Sequence, residues 1–306
     1  AATQLGMYMN VVKSNEADLD GMSSILTSLE RACIALDSTC QQRYSFAGKT
    51  LREAVNAAVH QLGEACAGLV NGITGADGTN PAKLDADKIP QLTGLVWEKC
   101  KGIEKLPADN RAAIGRALVK LAAGTKDVVR EMNDIDTTPS SHGKKAKDKD
   151  VEEEEGDDDD DGADGFSDDY DAEFDDEDLL IVVAGKPVIC GSMDLMKEVV
   201  RSVAAMSEPS SSDDLANLEG ALELFKAYNV AVEGLGAAMY PEQEPEEIRK
   251  ECHKVDETVR AGLEAVIKTA SQCEAAAKTI EGLKTAAEDV HKLCVELQAA
   301  VSLRWK

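Results

Sequence analysis

Apolar residues recur along this chain at steps of three and four. From Leu19 they run Leu19, Met22, Leu26, Leu29, Cys33, Leu36 and Cys40. That spacing returns each side chain to one face of a 3.6-residue helix. A second stripe is Leu51, Val55, Ala58, Leu62, Cys66 and Leu69, and a third is Leu92, Val96, Cys100 and Ile103, with Pro90 tolerated in its first turn. Leu106-Pro107-Ala108-Asp109-Asn110 is a tight connection in which Asp109 caps the next helix, whose stripe holds Ile114, Leu118, Leu121, Val128 and Met132. Residues 1–12 read as the end of a further helix.

Beyond an acid-rich stretch the pattern returns. Leu179 to Val183 alone would suit a buried strand. Continuation through Ile189, Met193, Met196, Val200 and Val203 favours one long helix, with Pro187 as a kink point. Ser210-Ser211-Ser212-Asp213-Asp214 opens a helix with Leu215, Leu218, Leu222, Phe225, Asn229, Val232 and Met239 in its seam, where Asn229 needs a polar partner. Pro241 and Pro245 separate it from the stripe Ile248, Cys252, Val255, Val259, Leu263, Val266 and Ala270. A last stripe runs from Ile280 to Val301, with no Gly or Pro to mark the boundary at 271–279. The expected fold is all-α: two antiparallel helical bundles, residues 1–133 and 177–306, joined by an acidic disordered linker at 134–176.

Charge locates the linker. The net charge is −25, and 19 acidic residues with no Lys or Arg lie between Asp150 and Asp178, which leaves −6 for the rest. Such a segment repels itself and buries little apolar surface. The acidity argues against direct nucleic-acid binding, which draws on cationic groups, and leaves basic protein partners open. The eight cysteines include no C-x-x-C pair and mostly fall on helix stripes, the pattern of buried thiols in a reducing compartment. There is no run of about 18 apolar residues, so no membrane span is expected, and no signal peptide is visible.

No catalytic or metal-binding constellation emerges, and no cofactor is expected. Gly48-Lys49-Thr50 has the ending of a phosphate-binding loop, but the upstream glycine position holds Arg43. His60, His142, His253 and His291 are scattered. Asp157, Asp159, Asp161, Gly162 and Asp168 match the spacing of a calcium loop, a match that an acid run produces readily. Ser167, Ser210 and Ser211 have the acidic surroundings of acid-directed phosphorylation, with helix capping the competing role for the latter pair. The cluster Lys144 to Lys149 reads either as a nuclear import signal or as a solvated linker. Trp97 is the candidate partner-binding residue, with core packing as its alternative.

Several segments resemble the cyclin-D-binding protein family, also called GCIP or Maid. Val96-Trp97-Glu98-Lys99-Cys100 is similar to a V-W-x-x-C stretch of that family, and Pro107-Ala108-Asp109-Asn110-Arg111-Ala112-Ala113 to its P-R-D-N-K-A-A run. Thr50-Leu51-Arg52 matches a T-L-R at a helix start. Asp178-Leu179-Leu180-Ile181 follows the acidic insertion as E-L-I-I does, and Tyr240-Pro241-Glu242 stands where the family can show Y-P-P. The resemblance implies two helical bundles and a non-enzymatic protein, nuclear and cytoplasmic. Its implied partners are D-type cyclins and helix-loop-helix transcription regulators, and its implied effect is restraint of cell-cycle progression. The chain lacks the basic region of a DNA-reading helix-loop-helix protein, which fits a sequestering partner. Composition alone also fits a vinculin- or talin-like cytoskeletal adaptor, or an acidic chaperone for basic proteins.

Overall fold

A computed structural model describes residues 19–74, 88–137 and 174–306. Among these the chain is helical, with no strand. The helices are α1 (Leu19–Arg43), α2 (Lys49–Thr74), α3 (Lys88–Glu104), α4 (Asn110–Asp134), α5 (Asp176–Ala205), α6 (Ser212–Ala237), α7 (Pro245–Ala270), the single turn α8 (Glu274–Ala277) and α9 (Ile280–Arg304). The expected all-α architecture is thus present. The helix over 1–12, the lysine cluster and the calcium-like loop lie outside the described residues, as does most of the expected linker.

Two compact units form, and their membership differs from the expected 1–133 and 177–306. One contains residues 1–117 and 207–219; the other contains 118–206 and 220–306. Helices α4 and α6 each divide between them. Helices of 25 and 26 residues are about 37 Å or more long. That is enough for the two ends of one helix to join different cores. Periodicity marks the apolar face of such a helix, not which neighbours cover each end.

In the first unit, α2 is the central element. Leu62, Cys66, Leu69 and Ile73 bury against Ile89 and Val96 of α3 and Leu29 of α1. Toward the start of α2, Leu51 and Val55 form a second cluster with Cys40, Ala47 and Ala113. Each such Leu, Val or Ile contributes about 1.5–3 kcal/mol when fully buried.

The second unit has the more complete core. Helix α9 packs along both α5 and α7. Val182, Met196 and Val199 of α5, Val255 and Val266 of α7, and Val290 and Leu297 of α9 are sealed from solvent. Phe225 and Tyr228 of α6 meet edge to face, with centroids 6.1 Å apart. Asn229 has the partners its seam position demands: Thr125 Oγ1 donates to its Oδ1 at 2.9 Å, and its Nδ2 donates to Glu233 Oε1 at 2.5 Å. Exposed pairs such as Asp194–Lys197 and Glu223–Lys226 add little by comparison, a few tenths of a kcal/mol each at about 0.3–0.5.

The start of α5 and its passage through Pro187 have local causes. Helix α5 starts at Asp176, earlier than its first apolar residue, because Asp175 and Asp178 form a capping box: Asp178 N–H donates to Asp175 Oδ1 at 2.6 Å. The last residues of the acid run therefore work as a helix start. The helix continues through Pro187 without a break. The carbonyl deprived of its partner belongs to Val183, which faces solvent. Between α7 and α9 the break falls at Ser271–Cys273, followed by the one-turn α8.

Helix α5 has the length and apolar composition of a membrane span, but half of its most apolar window is buried inside the fold. Its apolarity is that of a core helix packed on α9 and α7.

The turn from α6 to α7 is tied to the start of α5 and the end of α9. Gln243 Nε2 donates to Met239 O at 2.8 Å and Asp178 O at 3.2 Å. Arg304, near the end of α9, donates to Gln243 Oε1 at 2.6 Å and to Asp178 Oδ1 at 2.7 Å. Glu242 in this turn has φ 69°. A proline cannot adopt that angle, so the departure from Y-P-P accompanies a turn that Pro at 242 would forbid.

Asp178 is buried and Arg304 is its charge partner. Removing that partner leaves a buried carboxylate uncompensated. Arg304→Ala is expected to lower unfolding stability by about 3 kcal/mol, read as a shift in urea midpoint. Arg304→Lys is expected to recover only part of this, since an ammonium cannot reproduce the guanidinium fork.

Candidate partner-docking surface

The motif residues of the first unit converge on two helix N-termini. Asp109 caps α4 as expected, its Oδ1 accepting the Ala112 N–H at 2.7 Å. Asn110 Oδ1 accepts the Gly48 N–H at 2.7 Å, which joins the start of α4 to the start of α2. Two carboxylates from the 207–219 segment complete the set. Glu219 accepts from Thr50 N–H at 2.9 Å and Thr50 Oγ1 at 2.5 Å. Glu208 accepts from the Asn110 side chain at 2.9 Å, and from the backbone N–H groups of Asn110 and Arg111 at 3.2 and 3.1 Å.

Free N–H groups at a helix start favour an anion. The phosphate-loop-like Gly48-Lys49-Thr50 therefore does hold an anion, and the anion is the chain's own Glu219. A Cβ at residue 48 would lie 2.6 Å from Glu219 Oε1, so glycine there permits the carboxylate's approach. These residues hold structure together and offer no open site.

An apolar cleft opens between α1 and α2. The stripe of α1 is incompletely covered: Leu29 and Cys40 are buried, while Met22, Ile25, Leu26, Cys33 and Leu36 are half-buried. The uncovered part forms one wall of a groove of about 630 Å³. Met22, Leu26, Leu29 and Cys33 face Cys66 and Val70 across it, with Ser23, Thr27, Glu30 and Asn71 on its polar rim. An apolar floor inside a polar rim is the form of a helix- or ligand-accepting cleft.

Burial, together with the adjoining Cys33 thiol, pushes Cys66 up to about 12. Cys252 and Cys294 form a second pair in the core of the other unit, where Cys252 Sγ donates to Cys294 O at 3.4 Å. Hydrogen bonding from Cys294 lowers Cys252, and the same contact together with burial raises Cys294.

The sequence-derived candidates are dispersed. Trp97 does not enter the core: it is 52% exposed on α3, beside the exposed Leu95. Cys100, expected on the buried stripe of α3, is exposed. Ser167 lies outside the described residues. Ser211 caps α6, accepting the Asp214 N–H at 3.1 Å and donating to Asp214 Oδ2 at 2.7 Å; Ser210 approaches the same carboxylate at 3.4 Å. His253 is exposed beside buried Cys252, and His291 pairs with Asp256 at 2.8 Å on the surface. Among the described residues no group of three or more His, Cys, Asp or Glu is placed to hold a metal ion. Sequence reading missed the groove and the two capping carboxylates; the only local hint of the latter was the helix-start pattern around Thr50 and Asn110.

Stacked amphipathic helices with a half-open apolar groove among the described residues define a helical-bundle interaction protein. The chain belongs to the Grap2 and cyclin-D-interacting protein family: the N-terminal family model matches residues 1–137 and the C-terminal model residues 155–264. It is 25% identical over 262 residues to the cyclin-D1-binding protein 1 homolog of Xenopus laevis, covering 85% of this chain and 73% of the frog protein. It is also 25% identical over 219 residues to cyclin-D1-binding protein 1 of Bos taurus, covering 71% of this chain and 58% of the bovine protein.

Glu219→Ala deprives Thr50 of two hydrogen bonds to a charged acceptor. It is expected to cost about 2 kcal/mol, measured by urea unfolding. Glu208→Ala, at an exposed carboxylate, is expected to cost about 1 kcal/mol or less.

Proposed function

We propose that this chain is a non-enzymatic regulatory protein that receives an amphipathic helix of a D-type cyclin in the α1/α2 groove. The carrying observation is that groove: among the described residues the α1 stripe is left half-covered, and Met22, Leu26 and Cys33 line an apolar cleft against Cys66 and Val70. A partner helix presenting apolar residues at i, i+3/i+4 and i+7 would complete the burial. Family membership and the names of both relatives support a cyclin as the source of that helix. Helix-loop-helix transcription regulators offer helices of the same character and are the second proposed class of partner. Restraint of cell-cycle progression, in cytoplasm and nucleus, is the proposed consequence of such sequestration. Trp97 on α3 is proposed as an auxiliary contact, since a large aromatic with half its surface in solvent is a frequent energetic anchor.

Ala67 is exposed on α2 and lines the groove. Ala67→Arg inserts a long cation into the groove without disturbing the core. In pull-down and titration with a purified D-type cyclin, the unmodified chain is expected to bind at micromolar concentration or better. Ala67→Arg is expected to weaken binding by about tenfold, equivalent to about 1.4 kcal/mol, with an unchanged far-UV circular dichroism spectrum. Absence of binding by the unmodified chain removes the cyclin assignment, and equal binding by Ala67→Arg removes the groove assignment.

A further inference from the structure

Cys33 and Cys66 come from different helices, sit on the stripes that face each other, and line the same groove. Cys66 is buried in the groove floor and Cys33 is half-buried on its wall. Cys33 packs against the buried cluster that holds Cys66, so the two thiols meet within one cleft. The pair therefore combines two features that buried thiols rarely share: mutual contact and an opening to solvent. The Cys252–Cys294 pair has the contact but is sealed. Cys190 and Cys100 have exposure. Cys100 lies near enough to Cys66 to act on it electrostatically, which makes it the one competitor for the same sulfur that must be tested.

We propose that Cys33 and Cys66 are a modification site: a dithiol that hydroperoxides or low-molecular-weight disulfides convert reversibly to a disulfide bridging α1 and α2. Cys33, on the open wall, meets the oxidant first. Its thiolate attacks the peroxide, the O–O bond breaks, and Cys33 becomes a sulfenic acid as one alcohol leaves. The Cys66 sulfur then attacks the Cys33 sulfur. The S–S bond forms, the S–O bond breaks, and the Cys66 proton departs with the hydroxyl group as water. Two thiols and one hydroperoxide thus give one disulfide, one alcohol and one water, and the sulfur pair loses the two electrons that the O–O bond gains. With oxidised glutathione the same disulfide arises by two exchanges that release two reduced glutathiones.

Cys66 becomes the attacking sulfur as its proton passes to the departing hydroxyl group, and its place in the same cleft as Cys33 keeps it within reach for that step. Bonded sulfurs sit at about 2.05 Å, nearer than any non-bonded contact, so the bridge draws α1 onto α2 and narrows the groove between them.

The test uses the full chain, reduced and then exposed to hydrogen peroxide or to oxidised glutathione without denaturant. Remaining thiols are alkylated and the digest is mapped by mass spectrometry. The expected product is a linked peptide joining Cys33 to Cys66, lighter by two hydrogens and restored by dithiothreitol. Cys33→Ser and Cys66→Ser each abolish it, and Cys252 and Cys294 stay reduced under the same exposure. A dominant link between Cys66 and Cys100 overturns the assignment. So does stable glutathione or sulfinic acid on Cys33 without any link. No partner protein takes part in the readout, so the result is independent of whether a cyclin docks in the groove.

Discussion

One constraint runs through the molecule: each long helix presents a single stripe of apolar side chains that must be taken out of water. Where neighbouring helices cover the stripe completely, a rigid core results, as with Val188, Ile248, Val255 and Val290 in the second unit. Where they cover it in part, a groove remains, as along Met22, Leu26 and Cys33 of α1. Fold and candidate site are thus the same hydrophobic term, satisfied in one place and left for another molecule to satisfy in the other. Surface ion pairs are numerous here, but each is worth too little to set this arrangement.

Polar contacts have a more specific task. Glu208 and Glu219, distant in sequence, neutralise the N-termini of α4 and α2 and so attach the 207–219 segment to the N-terminal helices. Gln243, Arg304 and Asp178 do the equivalent in the second unit, tying the α6–α7 turn to the start of α5 and the end of α9. The family-like motifs map onto these junctions. Thr50, Asp109 and Asn110 are hydrogen-bonding residues at helix starts, and Asp178 is half of a capping box. Their side chains hold elements together.

The helical stripes were legible in the sequence because the three-and-four spacing is a direct consequence of helix geometry. Asn229 was legible as a seam residue requiring a partner, and Asp109 as a cap. Cys100 was misplaced because it sits one turn from Val96 at the margin of the stripe, where a small rotation of α3 decides between core and solvent. The contact of Glu219 with Thr50 spans 169 residues and leaves no local trace in either segment. Unit membership was equally hidden, since α4 and α6 keep one continuous apolar face while changing neighbours along their length. The groove was illegible for a related reason. Periodicity tells which face of α1 is apolar, and only the packing tells how much of it stays uncovered.

In the proposed mode of action, the uncovered face of α1 and α2 is the part of the chain that meets its partner. Hydrogen exchange of the full chain, alone and saturated with a D-type cyclin, tests it most directly, because side-chain burial by a docked helix slows local opening of the helices beneath it. The expected result is added protection concentrated in the segments around 22–33 and 66–71, with α5, α7 and α9 unchanged. Protection confined to α5–α9, with the α1/α2 segments exchanging as in the free chain, would contradict it.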